Sequence, residues 1–271
     1  YREYAQMDKL KSVYGIYITD EAQLKLLLEN EKLERIGLDV YAPIMNYSVF
    51  ENTNVNEIEL NVYGSCLLPQ ELPESIKPKV TRFWLRLNDS SKEPAVTDLD
   101  VTGFETLRAL SVYGYGVNSI KGYEGLELNT FQAGKYGSGD AGITLEGTLP
   151  DSLTTLHLRC VELGSIESAG ISKMTNLTGL ELVDCRIDSA AGLENLSELT
   201  YLNIQQSEIE DISSIGGLTN LNCLILLNNK IKDVSFLTNL VNLQQLRLRS
   251  NEISTLPDLT GLTRLGERIN I

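Results

Sequence analysis

Few side chains in this sequence are equipped for covalent chemistry. The single histidine, His157, has no G-x-S-x-G serine elbow beside it, and the chain contains no H-E-x-x-H set and no phosphate-binding P-loop string. The glycine string from Gly134 to Gly142 lacks the strand-then-helix context of a dinucleotide fingerprint and reads as a loop. Glu208, Glu210 and Asp211 cluster, but they match no calcium loop, and a solvated edge is the better reading. Cys66, Cys160, Cys185 and Cys223 are too widely spaced for a zinc or redox pair, and the chain is long enough to build a core without staples, so free and mostly buried thiols are expected. No catalytic residue, metal or cofactor is expected.

The residues that remain, arginine and the aromatics, are suited to recognition, and what they can do depends on the elements that present them. Those elements repeat. Leu177, Leu180, Leu182, Cys185 and Ile187 recur 22 residues on as Leu199, Leu202, Ile204, Ser207 and Ile209, then as Leu221, Leu224, Leu226, Asn229 and Ile231, and again as Leu243, Leu246, Leu248, Asn251 and Ile253. Each unit closes on a second apolar pair, as in Ile215/Leu218 and Leu237/Leu240. Upstream, looser units start at Leu153, Leu128, Leu107, Val80, Val55, Leu33 and, least clearly, Val13, which makes about eleven repeats. The unit from Leu128, through Phe131 and Ala133, is the weakest. Within a unit, L-x-L puts two leucines on one face of a short strand and their neighbours on the other. One unit cannot bury its leucines alone, so units must stack strand on strand into a parallel sheet.

The string Leu218 to Val234 resembles the leucine-rich-repeat family in its short 22-residue class, as in bacterial internalin-type surface proteins, and similar units occur in intracellular regulatory subunits of protein phosphatases. The resemblance implies an α/β solenoid: a right-handed superhelix with a parallel concave β-sheet and short turn or 3₁₀ convex segments. It also implies a non-enzymatic binding role, secreted or surface-attached, with a cytoplasmic scaffold as the alternative. The family asparagine that caps the turn after each strand stands at Asn88, Asn229 and Asn251, whereas Tyr41, Tyr63, Tyr115 and Tyr136 occupy the same place elsewhere and are expected to pack under irregular turns. Residues 1–32 read as a cap with one helix, opened by Asp20 and burying Leu24, Leu27 and Leu28, plus the doubtful first repeat. Residues 33–176 read as irregular repeats and 177–271 as regular ones in the same continuous domain, with a last strand at Ile269 that is expected to abut a further cap, domain or partner.

The frame assigns the third, fifth and seventh residues of each unit to the concave face. Over ten units those thirty positions hold Arg35, Arg82, Arg86, Arg159, Arg247 and Arg249, six of eleven arginines, and none of twelve lysines. They also hold Trp84, His157, Tyr113 and Tyr201, and Cys223, Ile225 and Leu227, of which the last two are expected to face solvent. Arginine with aromatics is the composition of recognition surfaces, since guanidinium forks carboxylates and stacks on rings. The competing reading is that neighbouring rungs satisfy one another. The candidate binding residues are therefore Arg82, Trp84, Arg86, Tyr113, His157, Arg159, Tyr201, Ile225, Leu227, Arg247 and Arg249, in two sub-sites. Against Asp39, Glu57, Glu59 and Glu181 the strip carries about +2, in a chain whose net charge is -14. The acidic total argues against nucleic acid as partner, and no apolar run is long enough to cross a membrane. A protein or peptide, preferably acidic, is the expected partner, and a glycan held by Trp84 and the tyrosines is the other class.

Overall fold

A computed structural model describes residues 1–41, 47–63, 71–88, 97–136, 142–266 and 269–270, apart from the Arg2 side chain. Cys66 and most of the Gly134 to Gly142 string lie outside the described residues. The chain divides into two compact units, the first Tyr1–Gly139 with Ile143–Gly147, the second Asp140–Gly142 with Thr148–Ile271.

In the first unit a short helix α1 (Arg2–Ala5) precedes β1 (Ser12–Ile18) and helix α2 (Glu21–Leu28). Asp20 Oδ1 accepts the Gln23 N–H at 2.9 Å and caps α2, whose Leu24, Leu27 and Leu28 are buried. Strands β2 (Arg35–Val40), β3 (Glu57–Val62), β4 (Arg82–Leu87), β5 (Thr97–Asp100), β6 (Ala109–Gly114), β7 (Val117–Lys121), β8 (Thr130–Lys135) and β9 (Thr144–Glu146) follow. A parallel sheet runs in the order β1-β2-β3-β4-β6-β8, with Ile36, Ile58, Phe83, Leu110 and Phe131 in one register row, all buried. At the doubtful first repeat, β1 pairs parallel with β2. Phe131 and Ala133, in the weakest unit, are fully buried.

The second unit carries β10 (Thr155–Arg159), β11 (Glu162–Ser165), β12 (Gly179–Val183), β13 (Arg186–Ser189), β14 (Tyr201–Gln205), β15 (Cys223–Ile225), β16 (Gln245–Arg247) and β17 (Ile269–Asn270). Its parallel sheet, β10-β12-β14-β15-β16-β17, aligns Leu156, Leu180, Leu202, Leu224 and Leu246. Asparagines tie the rungs. Asn229 Oδ1 accepts the N–H groups of Ser207 (3.1 Å) and Ile209 (3.4 Å) while its amide donates to the carbonyls of Ile204 and Leu227. Asn251 bridges Ile231, Leu226 and Leu248 in the same way. A second bridge, unforeseen from the sequence, comes in three repeats from an asparagine just before the leading apolar position: Asn54, Asn220 and Asn242 donate to the carbonyls of Glu31, Ser197 and Thr219 in the preceding repeat.

The return segments correct one expectation. Beside 3₁₀ turns such as Ser213–Gly217 and Ser235–Asn239, they form two further parallel sheets, β5-β7-β9 and β11-β13. These strands occur in repeats of ordinary and of greater length alike, β7 in a unit of 21 residues and β13 in one of 22, and pairing with the neighbouring repeat satisfies their backbone groups.

The tyrosine expectation is also corrected, and backbone geometry supplies the reason. In the second unit the residue before the asparagine position is left-handed in five repeats: Cys160 (φ 56°), Asp184 (55°), Gln206 (53°), Asn228 (56°) and Ser250 (62°). That turn swings the following residue inward, and Val161, Cys185, Ser207 and Asn229 are buried. In the first unit Val40, Val62 and Leu87 stay extended at that place and the six-residue strands continue their alternation. Val40 and Val62 are buried instead, and Tyr41 and Tyr63 point out.

Candidate functional site

The outward face of the first unit's sheet is internally matched. Arg35 Nε and Arg82 Nη1 both reach Glu57 (3.2 and 3.4 Å), Arg86 Nη1 lies 3.7 Å from Glu59, and Asn61 donates to Asp39 at 2.9 Å. Arg35, Glu57 and Arg82 share one register row, Asp39 and Asn61 another, and Arg86 reaches Glu59 diagonally on the adjacent strand, so the alternative reading, rung satisfying rung, applies to Arg35, Arg82 and Arg86. Being largely exposed, such pairs add at most about 1 kcal/mol each and mainly fix geometry. Arg82 also lies over the Trp84 ring, its Cζ 5.2 Å from the centroid. The Trp84 Nε1–H is buried without an acceptor among the described residues, at a cost of about 1–3 kcal/mol. Tyr113 is half-buried and stacks on Tyr136 at 6.3 Å.

Aromatic groups stand at the start of this sheet, and of these the sequence reading missed Tyr14 and Tyr17. Gly15 (φ 65°) makes a bulge in β1 between Val13 and Ile16. The Tyr14 ring is thereby laid on Gly37, where a Cβ would meet Tyr14 Cδ1 at 2.5 Å. Tyr14, Glu57, Glu59, Arg82 and Trp84 line a cleft of about 250 Å³. Beside it Tyr17, Tyr41 and Tyr63 stack in a ladder, with centroids 5.7 and 4.6 Å apart and planes within 17° and 4°. All three are exposed. The ladder raises the Tyr41 pKa through desolvation and the neighbouring phenols.

In the second unit the outward face holds a hydrogen-bonded cluster whose hub, Glu181, sequence reading counted only as a charge. Glu181 Oε2 accepts the Tyr201 hydroxyl and the Asn203 amide, each at 3.0 Å, and Gln205 donates to Asn203 at 2.8 Å. Burial, then the Glu181 charge, pushes the Tyr201 phenol up to about 12. His157, the register partner of Glu181, has its pKa lowered by burial, with Glu181 opposing. Arg159 is exposed.

Ile225 is not solvent-facing as expected: it is 8% exposed, in register between Asn203 and Arg247, and Leu227 is half-buried. Strand neighbours about 4.8 Å apart cover a branched side chain from both sides. Arg247 and Arg249 differ from the first unit's arginines. Both are exposed, Leu248 between them is buried, and neither makes a salt bridge to another described residue.

The Glu208, Glu210 and Asp211 edge lines a polar depression of about 670 Å³ with Arg186, Asp188 and Lys230. Lys230 pairs with Glu208 at 3.0 Å, and Asp211 caps the next turn through the Ser213 N–H. No group of metal-ligating side chains occurs among the described residues. Cys160, Cys185 and Cys223 form no disulfide among the described residues, and of the three only Cys185 is buried.

The register rows, asparagine bridges and 22-residue rungs fix the architecture. The chain has a leucine-rich-repeat fold, similar to that of the internalins. The functional domain of InlJ from Listeria monocytogenes matches 96% of this chain over 58% of its own length, with TM-score 0.65 and 18% identity. A leucine-rich-repeat protein of Leptospira interrogans matches the whole chain over 80% of its own, with TM-score 0.56 and 17% identity. The plant peptide hormone receptor RGFR1, solved in complex with RGF2, matches 97% of the chain over 51% of its own, with TM-score 0.50 and 16% identity. No protein-family model matches the sequence, and no curated protein does. In this repeat frame all eleven candidate residues fall on outward strand positions or their direct continuation, four in the first unit and seven in the second.

Proposed function

We propose that the chain is a non-enzymatic recognition module that binds an acidic protein or peptide segment on the outward face of the second unit's sheet. The observation that carries this reading is the pair Arg247 and Arg249, exposed, side by side on one face and unmatched by any described acid. Guanidinium forks of this kind suit carboxylates with little reorganisation. Half-buried Leu227 and Cys223 beside them supply apolar contact. Arg159, Tyr201 and His157 form the second part of the same face.

The fold likeness to InlJ and to a peptide hormone receptor supports a binding role of this type. We further propose a setting outside the cytoplasm, secreted or held at a bacterial surface, a reading that the fold likeness to InlJ supports. No helix among the described residues is long and apolar enough to cross a membrane.

An unbiased pull-down from extracts and culture medium, run with wild-type protein and with Arg247→Glu/Arg249→Glu, tests the binding reading. A partner retained by wild type and lost by the variant is expected, and its recovery at equal yield by both would end the proposal. Cell fractionation with an antibody tests the setting: signal confined to the cytoplasm contradicts it.

A further inference from the structure

The first unit's sheet face has a chemistry of its own. Its register rows place fifteen outward positions on β2, β3, β4, β6 and β8, at residues 35, 37 and 39 and their partners, and none of them is Val, Leu, Ile, Met or Phe. Arg35, Arg82 and Arg86 are balanced by Asp39, Glu57 and Glu59, so the formal charge of these rows is zero, and each of these groups already has a partner across the strands. Even Ser111 donates to Gln132, at 3.0 Å. A charged segment docking here must break pairs already made, and an aliphatic protein surface finds no aliphatic counterpart.

What the face does offer is planar polar groups held in fixed orientation, a row of phenol edges and the Tyr14–Trp84 cleft. Of the large hydrophobic side chains exposed in the described residues, Tyr4, Tyr14, Tyr17, Tyr41 and Tyr63 all fall in the first 63 residues. The Tyr17, Tyr41 and Tyr63 rings cover one another's faces, so the ladder presents edges and hydroxyls. The cleft, at about 250 Å³, is smaller than a drug-sized pocket and suits one ring-sized group.

We propose that this face is a binding site for a neutral glycan, one sugar unit seated in the Tyr14–Trp84 cleft and the chain running along the tyrosine ladder. The aromatic walls pack against sugar C–H faces. The oriented carboxylate, amide and guanidinium groups and the phenol hydroxyls exchange hydrogen bonds with sugar hydroxyls. The site is independent of Arg247 and Arg249.

Trp84 is the only tryptophan, so its fluorescence reports on the cleft directly. We would titrate the protein with cellohexaose, chitohexaose, maltohexaose and mannohexaose, with decaproline as a peptide control. At least one hexasaccharide is expected to shift Trp84 emission saturably, with affinity unchanged between low salt and ~0.5 M. Tyr41→Ala is expected to weaken that affinity about tenfold, with intact melting, and Tyr14→Ala to do the same. Arg247→Glu/Arg249→Glu is expected to leave it unchanged. Tyr41→Phe, which keeps the ring, separates contact with the ring edge from hydroxyl contact and is expected to lie between wild type and Tyr41→Ala. The proposal is overturned if none of the four glycans binds, if binding survives both tyrosine-to-alanine variants, or if decaproline alone saturates the site.

Discussion

Asn229 illustrates how much a single side chain carries here. The Ser207 and Ile209 N–H groups and the Ile204 carbonyl of the preceding rung all bond to it, while the Leu227 carbonyl of its own rung keeps the Gln206 N–H, and Asn229→Ala removes these bonds, so a loss of about 2–3 kcal/mol is expected in urea titration. Leu224, fully buried in its register row, is expected to cost about 2–5 kcal/mol when truncated to Ala. Gln206 holds φ 53° on an exposed side chain, and Gln206→Gly is expected to stabilise the fold by roughly 1 kcal/mol by removing that strain. His157 sets a pH dependence. Burial lowers its folded pKa below the ordinary 6.5, so the unfolded chain takes up the proton first and stability falls as pH drops from the ordinary value to the lowered one. Urea midpoints between about pH 7.5 and 5 should show this slope in wild type and a flatter one in His157→Gln; an identical slope in both removes His157 as its source. At this scale the asparagine caps were legible because their spacing repeats. Glu181 as a hub was not, because its partners Tyr201 and Asn203 come from the next repeat and only the register brings them to it.

Strand length governs which side chains reach the surface. Where a left-handed residue ends the strand, the next side chain caps the turn from inside; where the strand continues to six residues, the same position is thrown outward. Tyr41 and Tyr63 of the ladder owe their direction to that parity change, while Tyr17 lies within β1 as the register partner of Asp39, and the recurrence of tyrosine was visible in the sequence while its direction was not. Exposed tyrosines are expected to be cheap to remove. Tyr63→Ala should cost no more than the stacking it loses, about 0.5–1.5 kcal/mol, whereas a fully buried aromatic truncated to Ala costs roughly 3–5. A loss in the higher range, read from chemical denaturation, would return these rings to the core. The accessory strands β5, β7, β9, β11 and β13 were missed for a related reason. The return segments that hold them carry no strict apolar alternation, and they pair chiefly because the neighbouring repeat offers a backbone edge.

Across the whole chain, the repeat frame was readable from leucine spacing alone, and every one of the eleven proposed repeats carries a strand of the main sheets. The arginine bias of the predicted face was readable too, but its meaning changes between units. In the first, Glu57 and Glu59 sit one strand from Arg35, Arg82 and Arg86 and absorb the charge. In the second, Arg247 and Arg249 keep theirs, against an overall charge of -14. Charge counted over both faces together gave a small positive sum and hid two different surfaces, one neutral and aromatic, the other cationic. The proposed binding function rests on the cationic one. Its most direct test is the affinity for an array of acidic, neutral and basic peptides, measured for wild type and for Arg247→Glu/Arg249→Glu alongside their melting temperatures. Selective binding of acidic peptides, weakened by salt and at least about tenfold by the variant at unchanged melting temperature, is the predicted result. Equal affinity of both proteins for the same peptides, or none for acidic peptides in the wild type, would contradict it.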